Sequence, residues 1–186
     1  MSNNPFLIKH TKSFLRVTEE IPEICYAGNE ILQSPTATVS CEEGIQIATA
    51  LKATLSRYRA ITGYGRGIAA PQIGLSKSVF VTYVDGSFQT FINPTITASK
   101  SAQNRYRELC ISSGMVSAEV VRAAEITMKW TDEDGSEKQK SFEGMLARLY
   151  QHEVDHLKGV VNIDIAEPKS LHIVQTDPFA ETIRPV

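Results

Sequence analysis

The sequence predicts an α+β fold, and three observations predict it. Two stretches carry helical spacing, 40–63 and 142–158; the segments 78–93 and 123–142 alternate every second residue and turn back tightly, as antiparallel hairpins do. A chain of 186 residues, 42% hydrophobic and 22% charged, holds enough apolar material for one core. No linker or repeat divides it, so residues 1–186 read as a single domain, with 1–19 and 167–186 as a peripheral arm and tail. A net charge of -2 gives no electrostatic reason to expect nucleic acid or an anionic membrane as partner, and no apolar run reaches the length of a membrane span.

Residues 1 to about 39 contain Pro5, Pro22 and Pro35 without a sustained period and read as an irregular arm with at most short elements. They lack the apolar centre of a secretory signal; Lys9, Lys12 and Arg16 with no acid before Glu19 leave an organellar presequence as the alternative to a cytoplasmic location. Ser40 with Glu43 forms a capping box, Ile45, Ala48, Leu51, Leu55, Tyr58 and Thr62 keep helical spacing, and Gly63 stops the helix. Residues 63–74, G-Y-G-R-G-I-A-A-P-Q-I-G, lack both the lysine ending of a phosphate loop and a preceding strand. On its own this stretch reads as a tight loop; its small residues also let a backbone approach closely, and the Gln72 amide can donate to an oxyanion. Ser78–Val84 and Phe88–Ile92 form a hairpin about Asp85-Gly86, which Asn93-Pro94 ends. Residues 123–131 alternate as a strand, Asp132–Gly135 turn, and 136–142 return. A helix then runs from about Phe142 to Lys158, and V-V-N-I-D-I (160–165) reads as one more short strand.

That helix carries H-E-x-x-H. His152 and His156, four residues apart, leave one helix face one turn apart, a spacing that grips a metal ion, and Glu153 then stands where it can take a proton from an acidified water. Met145, Leu149, His152 and His156 form one stripe, so the histidines continue an apolar face, and buried imidazoles need partners. Two histidines leave a catalytic metal under-coordinated, and Cys110 is the best third donor, although a lone cysteine is more commonly a core residue. The metzincin extension is absent, since Val160 and Asn162 stand where it needs glycine and histidine. Glu167 lies too near the helix end, and Glu181 lies in a proline-bounded tail. Cys25, Cys41 and Cys110 form no disulfide framework and suggest a reducing compartment with free thiols or a thiolate ligand.

Three segments, in order and at matching spacing, resemble the peptide deformylases: G-R-G-I-A-A-P-Q (65–72), E-L-C-I-S (108–112) and Q-H-E-V-D-H-L-K-G (151–159). The resemblance spans residues 20–165 and implies antiparallel sheets around the helix that carries the motif. It implies that Cys110, His152 and His156 hold one divalent ion, usually ferrous iron, with zinc, nickel or cobalt able to substitute. It further implies that Glu153 moves the proton, that Gln72 and the Ile111 N–H meet the developing oxyanion, and that Gly65, Gly67, Ile68 and Leu109 border the substrate. The expected partners are N-formylated nascent peptides near the ribosome, and the products are formate and a free amino terminus. Asp155 is expected either to hydrogen-bond behind the ligands or to be solvated.

The chain departs from the pattern at Leu109, where the family has glycine, and at Gly114 and Ser117, where a proline nearby and an arginine are expected; Arg122 matches a second basic position. Leucine beside the ligand implies strain if the backbone there has positive φ. These changes leave open a deformylase-like hydrolase acting on another N-acyl substrate. A non-catalytic metal-binding or interaction protein is the other alternative, and intact Glu153 and Gln72 argue against it.

Overall fold

The computed structural model describes residues 4–174 and 181–186. Its helices are α1 (Pro5–Glu20), α2 (Cys41–Thr62) and α3 (Gly144–Leu157). Its strands are β1 (Gly67–Ala69), β2 (Val79–Val84), β3 (Ser87–Ser99), β4 (Gln103–Leu109), β5 (Val116–Ala123), β6 (Glu125–Thr131), β7 (Glu137–Glu143), β8 (His172–Ile173) and β9 (Arg184–Pro185). They form an antiparallel five-stranded sheet in the order β1-β2-β3-β6-β7 and a four-stranded one in the order β8-β5-β4-β9. The sheets lie about α3, which packs on β1, β3, β6 and β7 of one and on β5 of the other.

Both faces of the five-stranded sheet are covered at β2, whereas β7 leaves Glu137, Gln139, Ser141 and Glu143 exposed on one face. Along β2, Val79 and Val81 turn to a core with Leu51 and Leu55 of α2 and Val17 of α1, whereas Phe80 turns to Phe91, Met128 and Tyr150 under α3. Each such side chain contributes roughly 1.5–3 kcal/mol on burial.

α2 begins where Ser40 Oγ accepts from the Glu43 N–H at 3.1 Å and ends at Gly63, whose φ of 78° suits only the left-handed cap. The reciprocal half of the expected capping box is replaced: Glu43 pairs with Lys77 at 2.7 Å. The β2–β3 hairpin turns on Asp85 and Gly86, both at positive φ. Pro94 does not end β3 as expected. The strand bulges between Ile92 and Thr95, and Asn93, at φ 50°, braces the bulge by bonding both main-chain groups of Val39.

Three further expectations are corrected. The arm is not irregular: Asn4 Oδ1 accepts from Phe6 and Leu7 N–H, Pro5 fills the first helical position where its missing donor is harmless, and Val17 and Ile21 anchor α1 in the core. Residues 160–165 turn instead of extending, because Asp164 caps the Val161 N–H at 2.8 Å while Val161 packs beside Leu32 and Cys110. β4 and all of β5 but Ala123 were not foreseen, because the inward residues Asn104, Glu108 and Arg122 are polar and hide the alternation.

α3 stops at Lys158, and Gly159 comes next at φ 80° with its Cα so close to the chain that a Cβ would lie 2.5 Å from Ser34 N. Thr36 caps the same end, its N–H donating to Leu157 O at 2.9 Å. The N-terminal segment is thus clamped to the end of the motif helix.

Candidate metal centre

α3 presents His152 and His156 to Cys110, the residue just after β4. The three donor atoms lie within 4.8 Å of one another, with Cys110 Sγ 3.2 Å from His156 Nε2. Donors around one tetrahedral ion stand roughly 3.3–3.8 Å apart, so a thiolate and two imidazoles placed this way fit a divalent ion. His152 Nδ1 is committed to Glu108 Oε2 at 3.0 Å, which leaves Nε2 as the ligating nitrogen. Burial pushes the Cys110 thiol up, but the His156 and His152 rings outweigh it and hold it well below its ordinary value. Burial lowers His152 in turn, and Cys110 and Glu108 reverse this and carry it well above. Each group therefore favours the charged form of the other, and a thiolate is the form that ligates.

Glu108 is the residue to which sequence reasoning gave no role. Buried at the end of β4, it accepts from Arg122 Nε at 2.7 Å and Nη2 at 3.0 Å, from Arg148 Nη2 at 2.7 Å and from His152. Burial alone would raise its carboxyl; Arg122 and His152 win and hold it far below the carboxylate range. Arg148 is itself 2% exposed, and its other bonds go to Asn104 and to Val120 O. Arg122 Nη1 also reaches Asp155 Oδ2 at 2.6 Å, so Asp155 braces the ligands from behind. Two positions carried a signal: Glu108 lies two residues before Cys110, on the same face of the strand, and Arg148 one helical turn before His152.

Glu153 is buried beside the donors, and its Oε2 has no hydrogen-bond partner among the described residues. Burial raises its pKa to about 7, against the pull of His152 and His156. Gly67 makes room for it: a Cβ there would lie 2.3 Å from Glu153 Oε1. Gln72 is fixed at both ends, Oε1 accepting from Ala69 N–H at 2.8 Å and Nε2 donating to Ser112 Oγ at 3.1 Å, 3.6 Å from Cys110 Sγ. Ile111, next to the cysteine, lines the same cavity as Gln72, Glu153 and His152.

Of the expected groove residues, Gly65, Gly67 and Leu109 line this cavity and Ile68 does not. Ile68 is fully buried, packed with the α2 core. The β1–β2 register turns its main chain to Val81 and leaves that of Gly67 facing the open side of β1. Met145 and Leu149, expected on a buried stripe, form the cavity wall, while Ala147, Tyr150 and Val154 face the core. Leu109 is half-buried in extended strand and carries no positive φ, so the strain expected there is absent. Ser117 is buried and donates to His172 O at 3.2 Å, so an arginine there would displace β8.

Residues 21–171 match the family model for polypeptide deformylase. The chain is 35% identical over 142 residues to a peptide deformylase of Treponema pallidum, covering 75% of this chain and 88% of that one. Among solved structures it is similar to a peptide deformylase from Synechococcus elongatus in complex with actinonin (30% identity, TM-score 0.67, 78% and 79% of the two chains). It is also similar to a class I type b peptide deformylase from Acinetobacter baumannii bound to Met-Ala-Ser (29% identity, TM-score 0.70, 76% and 96%).

Proposed function

Since the chain belongs to the polypeptide deformylase family, metal-dependent hydrolases that remove the N-formyl group from nascent peptides, we propose roles for its own residues in that reaction. Cys110, His152 and His156 hold the ion, Glu153 moves the proton, and Gln72 with the Ile111 N–H faces the oxyanion. The observation that carries this reading is a buried carboxylate oxygen on Glu153, without a hydrogen-bond partner among the described residues, beside a clustered thiol and two imidazoles. When bound, the divalent ion supplies Lewis acidity to the formyl carbonyl and lowers the pKa of a coordinated water. Glu153 accepts the proton of the attacking water and delivers it to the amine as the C–N bond breaks, leaving formate and a free amino terminus. Burial, which raises the Glu153 carboxyl, favours its holding the proton between the two transfers. Gln72 is held before substrate arrives, so its amide needs no reorganisation as charge builds on the formyl oxygen.

The peptide lies extended between the open edge of β1 and the end of β4 that β9 leaves unpaired, meeting Gly67 on one side and Leu109 on the other. Ferrous iron is the resident ion in this reading, which places the enzyme in the cytoplasm, near the ribosome. No helix among the described residues is long and apolar enough to cross a membrane. The test is formate release from formyl-Met peptides by protein loaded anaerobically with ferrous iron; no release with iron, nickel, cobalt or zinc overturns the reading. Iron-loaded protein is expected to lose activity in air faster than nickel-loaded protein, and equal lifetimes refute iron. The half-buried Leu109 side chain at the groove favours a second reading, hydrolysis of a different N-acyl group, which the same assay with acetylated and formylated peptides separates.

A further inference from the structure

The edge of β4 that faces away from β5 has two parts. In the β4–β5 register, and with Val174 N bonded to Met115 O beyond β5, Asn104, Tyr106 and Glu108 turn their main-chain groups to β5. Gln103, Arg105, Arg107 and Leu109 therefore turn theirs to the other edge. β9 takes the first half of that edge, with Arg184 opposite Arg105, Pro185 opposite Asn104, and Val186 N–H donating to Gln103 O at 3.4 Å. Pro185 stands where an N–H would point away from β4, so its missing donor does no harm. Arg184 Nη2 binds Glu119 Oε1 at 2.7 Å, and Glu181 meets Arg107 Nη1 at 3.4 Å. Arg107 and Leu109, the second half, have no strand partner on this edge among the described residues, and both line the cavity with Cys110 and Ile111.

We propose that β9 closes the far end of the substrate groove and limits main-chain recognition to about the first three residues of the peptide. The inference rests on the deformylation reading, which sets the formyl group at Cys110. Because Cys110 lies just past the end of β4, a chain that starts there and keeps to the edge runs back towards Arg105, antiparallel to β4. β9 runs the same way, from Arg184 opposite Arg105 to Pro185 opposite Asn104, and so continues the path the peptide takes. At about 3.4 Å per residue, the edge from Leu109 to Arg105 is about 14 Å long. The third residue comes beside Arg107, the fourth beside Tyr106 meets the chain where it enters β9, and a fifth would take the place of Arg184 opposite Arg105. A longer peptide leaves the sheet there and gains no further pairing.

The test compares a formylated tripeptide with a formylated hexapeptide that shares its first three residues. Both kcat/KM and, in a Glu153→Gln background that stops turnover, Kd are measured on the metal-loaded full-length chain. Arg184→Glu repels β9 from Glu119, Arg184→Pro removes the donor to Arg105, and Arg184→Lys keeps both. The wild type and Arg184→Lys are expected to treat the two peptides alike, within twofold or so. Arg184→Glu and Arg184→Pro are expected to favour the hexapeptide several-fold, with the tripeptide unchanged. A several-fold preference for the hexapeptide in the wild type, or an unchanged ratio in both disruptive variants, overturns the proposal. Absence of formate from either peptide refutes the deformylation reading instead, and the Kd ratio then decides the role of β9; failure of both peptides to bind refutes both.

Discussion

In the proposed mechanism Glu153 joins chemistry to stability in a single side chain. Glu153→Gln keeps size and metal binding but cannot accept a proton, so turnover is expected to fall on the order of a hundredfold or more with metal content unchanged. An undiminished kcat would exclude it as the base. The same substitution exposes a pH effect in metal-free protein. Burial raises the Glu153 pKa from 4.5 to about 7, so the unfolded chain ionises first as pH rises. Stability tied to this group is full below pH 4.5, is lost between there and about 7, and stays lost above, a change on the order of 3 kcal/mol. Metal-free Glu153→Gln should therefore gain on the wild type in urea midpoint between pH 5 and 8; a constant gap would contradict the burial argument. Leu109, which lines the cavity, is the other residue proposed to set limits. Leu109→Gly is expected to raise kcat/KM more on formyl-Met tripeptides than on a short formylated amino acid, while the loss of a half-buried leucine costs about 1–2 kcal/mol. Wild-type selectivity in a folded, metal-loaded variant would make it a packing residue only.

Among the elements, α3 is held in place at its C-terminal end, where Gly159 packs on the 33–36 segment. Gly159→Ala must adopt a left-handed backbone and push a methyl group against Gln33 and Ser34, so about 2–4 kcal/mol of destabilisation is expected in thermal or urea unfolding. A neutral result would show that the 33–36 segment is free to move. Which elements were legible in the sequence depends on where their apolar residues point. α2 has a cap, a period and a glycine stop that agree, and the β2–β3 hairpin has Asp85-Gly86, so local rules sufficed. α1 was hidden by Pro5, read as a breaker where it serves as a helix start, and 160–165 by apolar residues that pack from a turn. β4 was illegible for a functional reason: its buried face holds Asn104 and Glu108 to bind Arg148, Arg122 and His152, so the hydrophobic period is missing where the site is built. The pair His152 and His156 was legible because four-residue spacing is local, and Cys110 joined it only through the need for a third donor and the resemblance of its segment, whereas the meeting of Glu108 with two arginines depends on long-range contacts that no window of sequence contains.

At the scale of the whole molecule, the candidate metal centre spans the end of β4 and α3, so an ion held there by the folded chain alone would stabilise both sheets together. At a free concentration about a thousandfold above Kd, linkage gives about 4 kcal/mol, and chelation should lower Tm by about 10 °C for a chain of this size. Cys110→Ala should show the low Tm whether or not metal is added; a chelator-sensitive Tm in that variant would exclude the thiolate as ligand. The four-stranded sheet also has a consequence for how the chain is made. Its inner strands, β5 and β4, are synthesised by residue 123, but the strands that flank them begin at His172 and Arg184. During translation both edges of that hairpin stay bare until residues 172–186 leave the exit tunnel, and bare edges are what pair wrongly with other chains. Chains stalled near residue 170 should therefore bind a chaperone trap or co-aggregate, and chains stalled well past residue 186 on an added linker should not. This member of a family that unblocks the amino termini of nascent chains completes its own second sheet only when residues 172–186 emerge.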